Sequence, residues 1–333
     1  MYDKENILAV FKTSDSLCPL IEIDAQSTHE CIGDACISIG AFDGVHLGHQ
    51  FLNSKMIAAA KEAHQPSVIL TFDIDPDELF KQPEDIHKLM SNNLRLNTLR
   101  SLGADYVVAL KFSKELAGQD LQTFFEQTLA KFMKVRQIHV GCDFALGKNR
   151  SGNVDAIKAW AKEHECSVCA YDLVSDLDKP VSSTRIRRAL KSGYIEEANE
   201  LLGRPYALEG IVVHGRKAGR TFGIPTANIG IQNHYVLPCD GVYAGLVQIG
   251  NKVYPTALSA GFPPTFKDER ILSNLELFIL GFDQEIYEYE VKVSFNKFLR
   301  PMLTFKNTEE MKHIIQHDID VTKNLLGNSA FEL

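Results

Sequence analysis

Nowhere in its 333 residues does this chain hold an apolar run close to the roughly 20 residues that a membrane-spanning helix needs. Its opening stretch, MYDKENILAV, turns acidic early and lacks the profile of a secretory leader. Excess positive charge is missing as well. A formal charge of −8 argues against a general binder of nucleic acid or of membrane surfaces. Cysteines show no paired pattern: Cys18, Cys31, Cys36, Cys142, Cys166, Cys169 and Cys239 are scattered and odd in number. The lone Cys166-x-x-Cys169 has no second pair and no clustered histidines, so reduced thiols in a cytoplasm are expected, not a zinc or redox centre. Internal repeats and low-complexity segments are absent too. The apolar fraction of 45% is that of an ordinary soluble globular protein, and the length exceeds what one core commonly fills, so two domains are expected.

What is present is a change of period part-way along the chain. The first half alternates apolar, β-branched runs (Ala35–Ile39, Ser67–Phe72, Tyr106–Leu110, Gln137–Val140) with helical patterns (Leu47–Ala63, Leu94–Leu102, Leu121–Met133, Val154–His164). Such alternation predicts right-handed crossovers and a doubly wound parallel sheet, whose ligands lie beyond the carboxyl ends of the strands. The unusual polar motifs GAFDGVHLGH, TFDIDPD and VGCDFALG all fall at those ends. Helical patterns over 182–190 and 194–202 follow. From Tyr206 to Phe298 short alternating strands (207–214, 241–249, 252–260, 274–279, 288–295) are separated by Gly, Pro and Asn turns, which predicts a small antiparallel β-barrel. An amphipathic helix over 308–326 comes after it. The expected organisation is therefore a doubly wound parallel-sheet domain over 1–190, a linker helix over 191–202 and a barrel domain over 203–333.

The chain is organised around GAFDGVHLGHQ, Gly40 to Gln50. Gly40 and Gly44 let the backbone approach a ligand, and the helix that follows offers free N–H groups and a positive dipole end. His46 and His49, three residues apart, face the same way. Either they are ordinary capping-region histidines or, with the flanking glycines and Asp43, they hold a phosphate. Far downstream, Ser182, Ser183 and Thr184 read as helix-capping residues, with Arg185, Arg187 and Arg188 in the first turns. Cations there oppose the helix dipole, so an anion should compensate them, and a polyphosphate tail fits. A solvated basic face explains Arg188 better than Arg185. Two anion sites at the open edge of a parallel sheet suit nucleotidyl transfer, which needs positioning and charge neutralisation more than a protein nucleophile.

Together GAFDGVHLGHQ, VGCDFALGKNRSG and SSTRIR resemble the adenylyltransferase module of the bacterial bifunctional riboflavin kinase/FAD synthetases. The resemblance implies transfer of AMP from ATP to FMN. It implies that His46 and His49 hold the ATP phosphates within a cradle of Gly40, Phe42, Asp43, Gly44 and Gly48. Ser183, Thr184 and Arg185 would meet the leaving pyrophosphate, and Asp143 and Phe144 would lie by the flavin. The chain departs from the family pattern at Ile74 and Asp75, where Pro and His are usual, and at Ala145 and Leu146, where Arg and Phe are commoner. These departures bear on rate and affinity more than on reaction type.

The second half carries its own constellation. HGRKAGRTFG is a glycine-rich, basic flap able to lie over phosphates. Thr226 and Asn228 then supply a hydroxyl and an amide oxygen two apart on one face of a strand, hard ligands suited to Mg2+ carrying a nucleotide. Glu276 interrupts the apolar run LELFIL, either as an outward-facing strand residue or as a base for a hydroxyl proton. This half resembles the riboflavin kinase module of the same family, through PTAN, PCDGVY, GFPPTF and FLRPMLTF. The resemblance implies that Gly215, Lys217, Gly219, Gly223, Thr226 and Asn228 bind Mg2+ and ATP, that Glu276 is the catalytic base, and that Arg300 lies near the flavin. Pro263 and Phe278 depart from the pattern.

The expectation is thus a cytoplasmic enzyme acting on riboflavin, FMN and ATP, with no nucleic-acid or membrane partner and room for weak self-association. A monofunctional FAD synthetase with an inactive or regulatory kinase-like domain is the alternative. A non-catalytic RNA- or protein-binding use of the fold is disfavoured by the negative charge, the lack of a KMSKS-like loop and the barrel motifs.

Overall fold

The computed structural model describes residues 8, 10–11, 17–24, 31–147, 150–172, 174–176, 179–215, 224–232, 234–261 and 275–333. The chain packs as two units, one from residues 13–86 and 92–182, the other from 1–12, 87–91 and 183–333.

In the first unit six parallel strands alternate with helices: β1 (Leu20–Ile23), β2 (Asp34–Ile39), α1 (Leu47–Glu62), β3 (Ser67–Phe72), α2 (Pro76–Phe80), α3 (Asn92–Arg100), β4 (Tyr106–Leu110), β5 (Lys134–Gly141), α4 (Val154–Glu163) and β6 (Ser167–Tyr171). The order across the sheet is β1-β4-β3-β2-β5-β6. Strands that follow β2 therefore wind first to one side, through β3 and β4, and then to the other, through β5 and β6. The switch lies at the carboxyl ends of β2 and β5, where doubly wound sheets bind ligands. Ile37, Ile39, Val68, Leu70, Val108, Ile138 and Val140 line the core, and covering both faces of the sheet explains their unbroken apolar runs. The helical pattern expected over 121–133 is a short α-turn, a π-helical turn at Phe124–Thr128 and a 3-10 turn. The strand β1 escaped the sequence reading because its LIEI is only four residues long.

The second unit begins with two helices, α5 (Ser183–Lys191) and α6 (Ile195–Leu202). The strands are β7 (Tyr206–Val213), β8 (Ala227–Gly230), β9 (Gly241–Ile249), β10 (Lys252–Ala260), β11 (Leu275–Ile279) and β12 (Glu290–Arg300), followed by α7 (Thr308–Leu326) and β13 (Phe331–Glu332). They pair antiparallel in the order β9-β12-β7-β8-β11-β10, and the β9–β10 pairing closes the barrel. Packing places residues 183–202 with the barrel, earlier than the boundary expected at 190. Asn199 of α6 gives the reason: its amide donates to the Phe295 carbonyl at 2.9 Å, and its oxygen accepts the Tyr206 N–H at 2.7 Å. Residues 87–91 join the same unit as a strap. The Lys88 N–H donates to the His234 carbonyl at 2.8 Å, and the Val236 N–H to the Lys88 carbonyl at 2.9 Å.

Candidate active sites

Beyond β2 the backbone makes a turn with three residues of the left-handed region close together: Phe42 (φ 55°), Gly44 (φ 82°) and Val45 (φ 40°). The close fold explains Gly40, where a Cβ would stand 2.8 Å from the Phe42 ring. Phe42, Asp43 and His46 are buried in the turn. His46 caps α1, its Nδ1 accepting the His49 N–H at 3.4 Å. The two imidazoles stack with centroids 3.6 Å apart, and Phe42 meets His49 edge-on at 5.2 Å. A Cβ on Gly48 would press on the His46 ring at 3.1 Å, so glycine leaves room for the pair. The result is a rigid, buried turn that ends in two imidazoles and a helix N-terminus, a chemistry suited to an anion.

Arg95 of α3 holds this turn to its neighbour, and the sequence reading missed it. Its guanidinium donates to the Ala41 carbonyl (3.1 Å), to Thr71 Oγ1 (2.7 Å) and to the Phe72 carbonyl (2.6 Å) while 2% exposed. Burial lowers its pKa, opposed by the charges of Asp75, Asp43, Glu78 and Asp73. An arginine in a helical NNLRLNTLR reads as a surface cation, which is why nothing flagged it.

The TFDIDP departure also gains a physical account. Asp75 caps α2, accepting the Asp77 N–H at 2.9 Å, and Glu78 accepts the Asp75 N–H in return. Asp73 Oδ1 accepts the N–H groups of Ile74 and Phe112, each at 2.8 Å, and so joins the ends of β3 and β4. There Phe72 meets Phe112 at 4.9 Å and Phe80 meets it at 6.2 Å, an aromatic group the sequence reading did not assemble. Asp143 and Phe144 follow β5: Asp143 is exposed, and Phe144 packs against the core of this unit.

Ser183, Thr184 and Arg185 open α5 and belong to the barrel unit. Thr184 is exposed, whereas Arg185 is buried with its guanidinium 2.8 Å from Glu197. The charge of Arg185 thus faces a carboxylate of α6.

On the barrel, Asn228 of β8 lies directly opposite Glu276 of β11, and Ser259 of β10 lies on the other side of Glu276. Glu276 and Phe278 alternate with buried Leu275, Leu277 and Ile279, so the carboxylate points away from the barrel core. Thr226 Oγ1 donates to Glu276 at 2.5 Å. Gly215, at the start of the flap, sits so close to Asn228 that a Cβ would fall 2.1 Å from its amide nitrogen. The structure therefore gathers Gly215, Thr226, Asn228 and Glu276. Lys217, Gly219, Gly223 and Pro263 lie outside the described residues. Arg300 is engaged by α7: its Nε and terminal nitrogen hold the buried Asp318 carboxylate at 3.0 and 2.7 Å.

All seven cysteines are free, and burial pushes the thiols of Cys36 and Cys166 up to about 11. Among the described residues no helix is long and apolar enough to cross a membrane.

Comparison with known proteins matches residues 28–185 to the FAD synthetase family and residues 202–326 to the riboflavin kinase family. A bifunctional riboflavin kinase/FMN adenylyltransferase of Bacillus subtilis is 32% identical over 85% of this chain and 89% of its own length. One from Haemophilus influenzae is 34% identical over 90% of this chain and 96% of its own. The solved structure of a macrolide-efflux protein from Streptococcus pneumoniae superposes with a TM-score of 0.79 at 31% identity, covering 91% of this chain and 99% of that one.

Proposed function

We propose, for a chain that belongs to the family of bifunctional riboflavin kinase/FMN adenylyltransferases, a division of labour in which each packing unit handles one phosphate transfer. The chain carries a FAD synthetase domain followed by a riboflavin kinase domain, and its reactions are riboflavin to FMN and FMN to FAD. The observation that supports the residue assignment is the presence of two separate phosphate-handling constellations, one in each unit.

In the kinase step, the ribityl hydroxyl oxygen attacks the γ-phosphorus of ATP, the bond to the β-phosphate oxygen breaks, and ADP leaves. Glu276 takes the hydroxyl proton. Its carboxylate is held ready by Thr226 and faces away from the apolar core, within reach of a substrate. Gly215 leaves room for the Asn228 amide beside it, so that amide and the Gly215 backbone face the phosphates together. The donor set of a hydroxyl, an amide oxygen and a carboxylate is all oxygen, which fits Mg2+. Thr226 and Asn228 would hold it with the nucleotide, and it would neutralise charge on the phosphates. A small number of protein ligands is usual for an ion that arrives with ATP.

In the adenylyl step, a phosphate oxygen of FMN attacks the α-phosphorus of ATP, and pyrophosphate leaves. His46, His49 and the N–H groups at the start of α1 receive the nucleotide phosphates, and the turn from Gly40 to Gly44 lets the backbone close on them. Phe72, Phe112 and Phe144, at the carboxyl edge of the sheet, offer apolar ring faces for the flat flavin.

Incubating the purified chain with riboflavin, ATP and Mg2+ and resolving the products by chromatography tests both steps. Both FMN and FAD are expected; the appearance of neither sinks the assignment. Supplying FMN in place of riboflavin isolates the second step.

A further inference from the structure

Beneath the paired imidazoles lies a polar seam in an otherwise apolar layer. Ser38 of β2 and Asn53 of α1 are both fully buried. Ser38 Oγ donates to Asn53 Oδ1 at 2.6 Å, and Asn53 Nδ2 donates to the His49 carbonyl at 2.8 Å. His49 in turn donates its N–H to His46 Nδ1, and its ring stacks on the His46 ring. A continuous set of contacts thus runs from the central strand of the sheet, through one amide, to both imidazoles. Gln50 Nε2 fixes the other side of the turn by donating to the Val45 carbonyl at 2.8 Å.

Neither residue is there for helix or strand formation. Asparagine is a weak helix former in a helix interior, and a buried amide is costly unless its donors and acceptors are met. On the buried face of α1, Met56 and Ala60 are apolar neighbours of Asn53 in the helix. An apolar side chain at position 53 would pack on this face with no demand on direction. Hydrogen bonds do make that demand. Apolar contacts tolerate small slides and rotations of a helix on a sheet. The Ser38–Asn53 bond instead joins α1 to β2 at one rotation and one axial position, and the bond to the His49 carbonyl fixes the amide within the helix.

We infer that Asn53, held by Ser38, is a positioning residue for adenylyl transfer: it sets the placement of His49 and, through it, of His46. Asn53 touches no substrate and acts through the α1 backbone. The inference rests on the adenylyltransferase reading of His46 and His49. It predicts an effect on rate, because displacement of a transition-state contact by about 1 Å can cost on the order of 100-fold.

The test uses the full chain with Ser38→Ala, Asn53→Leu and the double variant. Steady-state kcat and KM are measured for FMN adenylylation, riboflavin phosphorylation is followed in the same preparations, and thermal unfolding is recorded. Each single variant is expected to lower the adenylylation kcat about tenfold. The double variant should be no slower than Asn53→Leu, since both changes break one relay. Riboflavin phosphorylation should be unchanged, and the unfolding midpoint of Asn53→Leu should not fall. A wild-type kcat in either single variant overturns the inference, as does a kcat loss that only follows loss of folded protein. Should Asn53→Leu not fold, Ser38→Ala decides alone, because it removes a single hydroxyl. A wild-type chain that makes no FAD from FMN would instead overturn the adenylyltransferase reading beneath it.

Discussion

Thr226 donates its hydroxyl hydrogen to Glu276 across 2.5 Å, joining residues 50 apart in the chain at the edge of the β8–β11 pair. This bond holds the carboxylate at the register position opposite Asn228. Replacing Glu276 by Gln keeps the size and removes the basicity. FMN formation should fall by about 100-fold or more, the usual range for loss of a general base. FAD formation from added FMN should be unaffected. Product chromatography with riboflavin and with FMN as alternative substrates checks it, and equal loss of both activities would refute the division of labour.

Gly215 tests the same site from its backbone. A methyl group there would overlap the Asn228 amide, so Gly215→Ala must push either the flap start or Asn228 aside. The kinase KM for ATP should rise about tenfold while the barrel still folds, since the change lies outside its core. Kinetics in riboflavin and ATP together with a circular dichroism melt separate the two effects.

Arg95 spans the turns beyond β2 and β3. Arg95→Met leaves the carbonyls of Ala41 and Phe72 without their guanidinium donor and strips Asp43, Asp73, Asp75 and Glu78 of a nearby cation. Breaking so buried a set of charged contacts should destabilise this unit by about 3 kcal/mol or more and lower adenylylation at least as steeply. Lysine retains the charge but cannot fork to three acceptors, so Arg95→Lys should recover only part of the loss. Thermal unfolding read beside FMN-to-FAD turnover measures both.

His139 of β5 makes the stability of the same unit depend on pH. Its Nδ1 pairs with the Tyr171 hydroxyl at 2.9 Å, its Nε2 is buried without a partner, and burial lowers its pKa to about 4. The unfolded chain, with an ordinary histidine near 6.5, binds more protons than the folded one between those two values. The stability associated with neutral His139 is therefore complete above pH 6.5 and is lost as pH falls toward 4, by at most on the order of 3 kcal/mol. Urea midpoints measured from pH 7 to 4 should fall less steeply in His139→Gln than in the wild-type chain.

Much of this was legible in the sequence, element by element. The strand SVILTF and the helix starting at Leu47 follow from local periodicity, and both appear in place. HxGH and PTAN identify themselves because each is a short motif whose parts are neighbours in the chain. Phe124–Thr128 was read as ordinary helix because a π-turn keeps nearly the same apolar spacing. Arg185 drew attention for its charge, yet its partner Glu197 lies on the next helix and only the α5–α6 packing brings the two together.

The sequence by itself determined the two element patterns, the carboxyl-end loops and the motifs that name the family, since each depends on residues within a few positions of one another. Tertiary structure alone decided that Arg95 braces the histidine turn, that Asn53 reads its direction from Ser38, and that Thr226 reaches Glu276. Those pairs lie 15 to 54 residues apart. Strand order and register set their separation in space, and long-range pairing leaves no periodic trace in either partner's own neighbourhood.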